Sequence, residues 1–112
     1  VRDPRVRREN PCYDRIPTRA LGELARFMKR VGGELESVRA PVLVLHGRRD
    51  HTAPVGCAAK IAARTKAVRT RILDRSYHLI AADVERDIVA AEVIDFLRRN
   101  VNVKAGELSC AM

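Results

Sequence analysis

The stretch APVLVLHGRRD, residues 40–50, decides how this chain folds. Val42 to Leu45 is an unbroken apolar run, not an alternating one, which is the pattern of a strand covered on both faces in a parallel α/β sheet. Gly47 stops the run. Beyond it, Thr52 and Pro54 offer a cap and a first-turn proline for a helix near 53–66, with Ala58, Ala59 and Ala62 as its small packing side. A second strand is predicted over Val68–Leu73. Residues 41–74 therefore spell strand, helix, strand. Such a unit is parallel, with a right-handed crossover, in nearly every case. Both strands then end at one edge of the sheet, so Asp50 and His78 emerge side by side although far apart in the chain. Sites of open α/β sheets lie at that carboxyl edge. A carboxylate there fixes the tautomer of a neighbouring imidazole and stabilises its charged form. Asp50 and His78 are the candidate catalytic residues.

Working outward, residues 1–16 lack periodicity and contain Pro4 and Pro11, so they read as loop or arm. From Thr18, just after Pro17, Leu21, Leu24, Met28 and Val31 recur at three- and four-residue steps, one face of a helix. Gly32-Gly33 ends or breaks that helix, and Leu35 and Val38 continue a short further turn. Downstream, Asp83 is read as the cap of a helix running to about Arg99, and as a cap rather than a catalytic group. Glu85 and Asp87 suit the positive end of its dipole, and Arg98 and Arg99 the negative end. Val89, Val93, Phe96 and Leu97 form its predicted buried stripe. The tail after Arg99 is expected to fray. The chain thus divides into an arm and helix over 1–38, a β-α-β-α part over 39–100, and a tail over 101–112.

Composition narrows the function. The 112 residues suffice for one domain at most, with a small core. No apolar run approaches the roughly 20 residues of a membrane helix. The start, VRDPRVRREN, has no hydrophobic stretch and is not a secretory signal. Cys12, Cys57 and Cys110 are widely spaced, with no CxxC or Cys/His cluster, so neither a zinc ribbon nor a disulfide framework is indicated. Reduced thiols and a cytoplasmic location are the expectation. The net charge of +8 invites a nucleic-acid reading. Yet the basic residues are spread out, apart from a modest cluster at Arg2, Arg5, Arg7 and Arg8. The aromatic residues (Tyr13, Phe27, Tyr77, Phe96) are too few for base-stacking platforms, so no nucleic-acid partner is expected.

PVLVLHGRRDHTAPV followed by SYHLIAADVERD resembles the C-terminal part of α/β-hydrolases, in particular small bacterial carboxylesterases grouped with monoacylglycerol lipases. That family carries its triad acid in a G-x-x-D-x-x-x-P setting, matched by Gly47, Asp50 and Pro54. Its triad histidine lies in S-x-H-x-I-x-x-D-x-E-x-D, matched by Ser76, His78, Ile80, Asp83, Glu85 and Asp87. The resemblance covers about residues 38–99. More weakly, NPCYDRIPTRALGELARFMKRV resembles the end of the cap segment lining the acyl pocket. The resemblance implies a partial α/β-hydrolase fold and hydrolysis of carboxylic esters, with Asp50 holding His78. It implies a small-molecule ester substrate and no cofactor. Tyr77, Phe27 and Met28 are then candidates for bordering an acyl pocket, although Phe27 and Met28 also sit where core residues of the helix would.

The departure is the nucleophile. No G-x-S-x-G pentapeptide is present. Ser37, Ser76 and Ser109 lack the glycine frame, and so does Cys57 in VGCAA. An imidazole with no hydroxyl to deprotonate gives no covalent catalysis, so the chain by itself is expected to be nearly inactive. Two parallel strands are not expected to stand alone either. With Val1 in place of a methionine, this leads to the expectation of a hydrolase fragment, or of a remnant completed by another chain. The alternatives are a non-catalytic interaction module and, more weakly, a basic nucleic-acid module. His46, Asp50 and His78 can also be drawn as a metal set, but His46 at a strand end is read as a satisfied, partly buried residue.

Overall fold

A computed structural model describes residues 2–9 and 17–100. Cys12, Tyr13, Ser109, Cys110 and the tail expected to fray lie outside the described residues.

The strand-helix-strand unit forms as its sequence pattern requires. β1 spans Leu43–Gly47, α3 Gly56–Thr65 and β2 Arg69–Leu73. The two strands pair in parallel, in a register that sets Leu43 opposite Arg69 and Gly47 opposite Leu73. The Val68 N–H donates to the Val42 carbonyl (3.0 Å), carrying the ladder one step beyond β1. The chain is thus α/β in class, with a two-stranded parallel sheet among the described residues. β1 begins one residue later than expected and takes in Gly47, which is the last residue of the strand and not its stop.

α3 starts later than Thr52 and Pro54 suggest. Neither caps it through a side chain. The reason lies at Asp50, whose carboxylate draws in the Thr52 and Ala53 N–H groups and holds 50–53 as a turn. Ala58 is the buried contact of α3; Ala62 is half-buried and Ala59 is exposed. The helix ends on Lys66 in the left-handed conformation (φ 53°), with the Lys66 N–H donating to Ala62.

α1 (Pro4–Glu9) replaces the loop expected at the start of the chain. Its signal was the Asp3-Pro4 pair: the Asp3 carboxylate caps the Arg5 N–H at 2.9 Å, and proline suits the first helical position. α2 (Thr18–Glu34) runs through Gly32 and Gly33 and ends just after them, followed by a 3₁₀ turn at Leu35–Ser37. Its apolar residues share one face, as the spacing requires, yet that face is open to solvent, with Phe27 63% exposed.

A second 3₁₀ turn (Ile80–Ala82) precedes α4 (Arg86–Asn100). Arg69 on β2 holds Glu92 and Asp95 of α4, each at 2.8 Å, which lays the helix along the sheet. Of the expected stripe on α4, Val89 is buried and Phe96 half-buried, while Val93 and Leu97 are exposed. The core is Val44, Ala58, Leu73 and Val89. Two strands offer too little area to cover every apolar face presented to them. For the same reason β1 is only partly covered rather than buried on both faces. No described helix is long and apolar enough to cross a membrane.

Candidate active site

Parallel pairing delivers both strand ends to one edge, and the backbone beyond them is stitched together. The Arg48 N–H donates to Leu73 (2.8 Å) and the Arg49 N–H to Ser76 (3.2 Å). Gly47 lies beneath the Ser76–Tyr77 backbone. A Cβ on Gly47 would stand 2.6 Å from the Ser76 carbonyl oxygen and would also strike that of Tyr77. Only a residue without a side chain lets the two post-strand loops approach so closely.

That approach brings Asp50 and His78 together. The Asp50 carboxylate is 3% exposed, and each of its oxygens has its own task. Oδ1 accepts the N–H groups of Thr52 (2.8 Å) and Ala53 (2.9 Å). Oδ2 lies 2.9 Å from His78 Nδ1. Burial is the largest influence on this carboxyl and opposes its ionisation. The Ala53 N–H, His78 and the Thr52 N–H together outweigh it and hold the pKa at about 2. An ionised carboxylate only accepts hydrogen bonds, so Nδ1 of His78 carries the proton. In the neutral ring that places the lone pair on Nε2, on a side chain 51% exposed. That is the arrangement of an oriented general base.

A pH dependence follows from Asp50. Its pKa is lower in the folded chain than the ordinary 3.8. The stability it contributes is therefore complete above about pH 4 and is lost as the pH falls through about 2. Chemical denaturation should show Asp50→Asn to be less stable than the parent near neutrality, with the gap closing as the pH approaches about 2. A gap that stays constant with pH would refute this.

His46, at the end of β1, joins the same cluster. Its Nε2 donates to the Ala53 carbonyl (3.0 Å) and lies 3.6 Å from Asp50 Oδ2. The ring is half-buried and satisfied, and it pins the far end of the turn that presents Asp50. Among the described residues no group of three His, Cys, Asp or Glu side chains converges as metal ligands would. His51 packs on Tyr77, ring centroids 5.6 Å apart. Phe27 and Met28, the other residues considered for an acyl pocket, stand exposed on α2.

The largest difference from expectation concerns Asp83 and Glu85. Asp83 does not cap α4, which begins at Arg86, and Glu85 stands just ahead of the first turn rather than within it. Asp83 is fully buried. It accepts N–H groups from Arg2 (2.7 Å), Asp3 (3.1 Å) and Val84 (3.0 Å) on Oδ1, and from Tyr77 (2.9 Å) on Oδ2. Burial weighs most on its pKa and pushes it up, but the Tyr77, Arg2, Val84 and Asp3 N–H groups prevail and lower it. Glu85 Oε2 accepts the Arg75 N–H (2.9 Å) and the hydroxyl of buried Ser76 (2.7 Å). The sequence signal for these contacts was the S-x-H-x-I-x-x-D-x-E spacing, whose polar members turn inward to the loop.

A family profile described as serine aminopeptidase, S33, an α/β-hydrolase family, matches residues 2–85. A thermostable monoacylglycerol lipase from Bacillus sp. (strain H-257) is 27% identical over 91 residues, which are 80% of this chain and 36% of the lipase. The chain thus spans about a third of the length of that relative. With the family profile running through most of its residues, the chain belongs to the serine aminopeptidase S33 family of α/β-hydrolases.

Proposed function

We propose that this chain carries the acid and the base of a Ser-His-Asp hydrolase acting on carboxylic esters of short to medium acyl chains or on monoacylglycerols. The observation that supports the reading most directly is the 2.9 Å bond from His78 Nδ1 to a carboxylate with a pKa of about 2. It leaves Nε2 free on the exposed side. The likeness to a monoacylglycerol lipase supports the ester class.

In the proposed reaction a serine hydroxyl gives its proton to His78 Nε2 as its oxygen attacks the ester carbonyl. The imidazolium, stabilised by Asp50, returns that proton to the departing alcohol and leaves an acyl-serine. His78 then takes a proton from a water whose oxygen attacks the acyl carbon, and returns it to the serine oxygen as the carboxylic acid departs. The serine comes from a nucleophile-bearing segment that complements these residues, because no G-x-S-x-G occurs among them. This chemistry uses no cofactor.

The test is a graft. Put in place of the matched segment of the Bacillus lipase, the chain should restore hydrolysis of p-nitrophenyl butyrate. His78→Ala should then lower kcat by at least about a thousandfold, while the chain by itself stays at the buffer rate. A folded graft that is inactive, or whose activity is indifferent to His78→Ala, removes the reading. The second reading, an interaction module without catalysis, draws on the open apolar faces of α2 (Leu24, Phe27, Met28) and α4 (Ile94, Leu97). It would be left standing by that negative result.

A further inference from the structure

The base loop, residues 75–78, has no regular structure of its own, yet its imidazole meets Asp50 at 2.9 Å. Something must fix it. Along Arg75, Ser76 and Tyr77, each residue is held by a carboxylate from the segment just downstream. Glu85 takes the Arg75 N–H and the Ser76 hydroxyl, and Asp83 takes the Tyr77 N–H. On the opposite side the Ser76 carbonyl accepts the Arg49 N–H from the loop that carries Asp50.

We propose that Glu85 and Asp83 are positioning residues for His78: acting through the 75–77 backbone and Ser76, they hold the imidazole against Asp50 and so set its tautomer. Neither carboxylate has a hydrogen bond to the imidazole ring. The inference rests on the reading of His78 as the base, and it assigns the two carboxylates a role beyond that reading.

The two carboxylates differ in a way that separates positioning from mere packing. Both bonds at Glu85 go to a single oxygen, Oε2, so the carbonyl oxygen of a glutamine can replace it. At Asp83 both oxygens accept, and an asparagine would set an N–H₂ donor against an N–H donor. Glu85→Gln should therefore be tolerated, and Glu85→Ala and Asp83→Asn should release the loop.

The experiment is ¹⁵N NMR of the histidine ring nitrogens in the graft, labelled on histidine, in alkaline buffer. The β1 and β2 amide signals serve as the control for folding. The parent should show His78 as the Nδ1–H tautomer, bonded to Asp50. Glu85→Ala and Asp83→Asn should lose that signature, and Glu85→Gln should keep it. Ser76→Ala, which removes one of the two bonds to Glu85, should lose it in part. In the graft, Glu85→Ala should lower kcat about a hundredfold with little change in KM, the scale of a displacement of about 1 Å.

A signature that survives Glu85→Ala overturns the proposal. So does one lost equally in Glu85→Gln, or one absent from the parent. Should Glu85→Ala or Asp83→Asn unfold the chain, Ser76→Ala carries the test, and an unchanged ring signal there overturns the assignment. Ring spectra that follow the expected order in a protein without esterase activity would support the positioning role and defeat the hydrolase reading.

Discussion

In the proposed hydrolase, Asp50→Asn lowers kcat about ten-thousandfold and leaves KM within about twofold. The size of this effect comes from the divided labour of the carboxylate. Oδ1 is committed to the Thr52 and Ala53 N–H groups, and only an acceptor satisfies them. An asparagine keeps its oxygen there and turns its N–H₂ towards His78. That group donates to Nδ1, which forces the imidazole proton onto Nε2. The ring then has no lone pair at the position where a serine proton must arrive. The turn at 50–53 keeps its bonds, so the variant folds and binds ester while the base is in the wrong tautomer. Steady-state and single-turnover kinetics on the graft check this, with ¹⁵N spectra of His78 reporting the tautomer. A loss of less than about tenfold would show that Asp50 does not orient His78 in the reaction.

What could be read from the sequence divides along a physical line. The parallel unit was legible because unbroken apolar runs and a crossover leave few alternatives. Juxtaposition of Asp50 with His78 follows from that topology, since parallel strands end at one edge. α1 was missed although Asp3-Pro4 announces it, because six residues give periodicity nothing to act on. The capping of α3 by Thr52 failed for a different reason. The Asp50 carboxylate takes the Thr52 and Ala53 N–H groups and holds 50–53 as a turn, as aspartate side chains do, so the helix begins only beyond it at Gly56.

Asp83 and Glu85 were the hardest to read. Placed just ahead of a helix, Asp83 reads as its cap and Glu85 as a charge suited to its dipole. What overrides both readings is a loop lacking internal bonds, whose buried N–H and hydroxyl groups need acceptors more than the helix end needs charge. The apolar spacing on α2 and α4 indicated faces correctly but said nothing about cover. Leu24, Phe27 and Leu97 are exposed for want of a facing layer, and no local pattern reports the presence of one.

Among the described glycines, Gly47→Ala should be the most damaging change, costing about 2 to 3 kcal/mol or more. The added carbon meets backbone on every side: the Ser76 carbonyl oxygen at 2.6 Å, the Ser76 carbonyl carbon at 3.0 Å, and the Tyr77 carbonyl oxygen. No rotamer can move away, so the 75–78 loop itself must lift. Lifting it stretches the Arg49–Ser76 bond (3.2 Å) and draws His78 from Asp50. Stability and the imidazole tautomer should therefore fail together. The same substitution at Gly32 or Gly33 supplies the contrast. Both lie within α2 with nothing within 4 Å of the new carbon. There alanine removes only backbone freedom and should stabilise by about 0.5 to 1 kcal/mol. Denaturant titrations of the variants, made in the graft, decide the matter. If Gly47→Ala and Gly32→Ala shift the midpoint in the same direction, the close approach of the two loops is not what requires glycine at 47, and the route by which this sequence brings its carboxylate to its imidazole must be sought elsewhere.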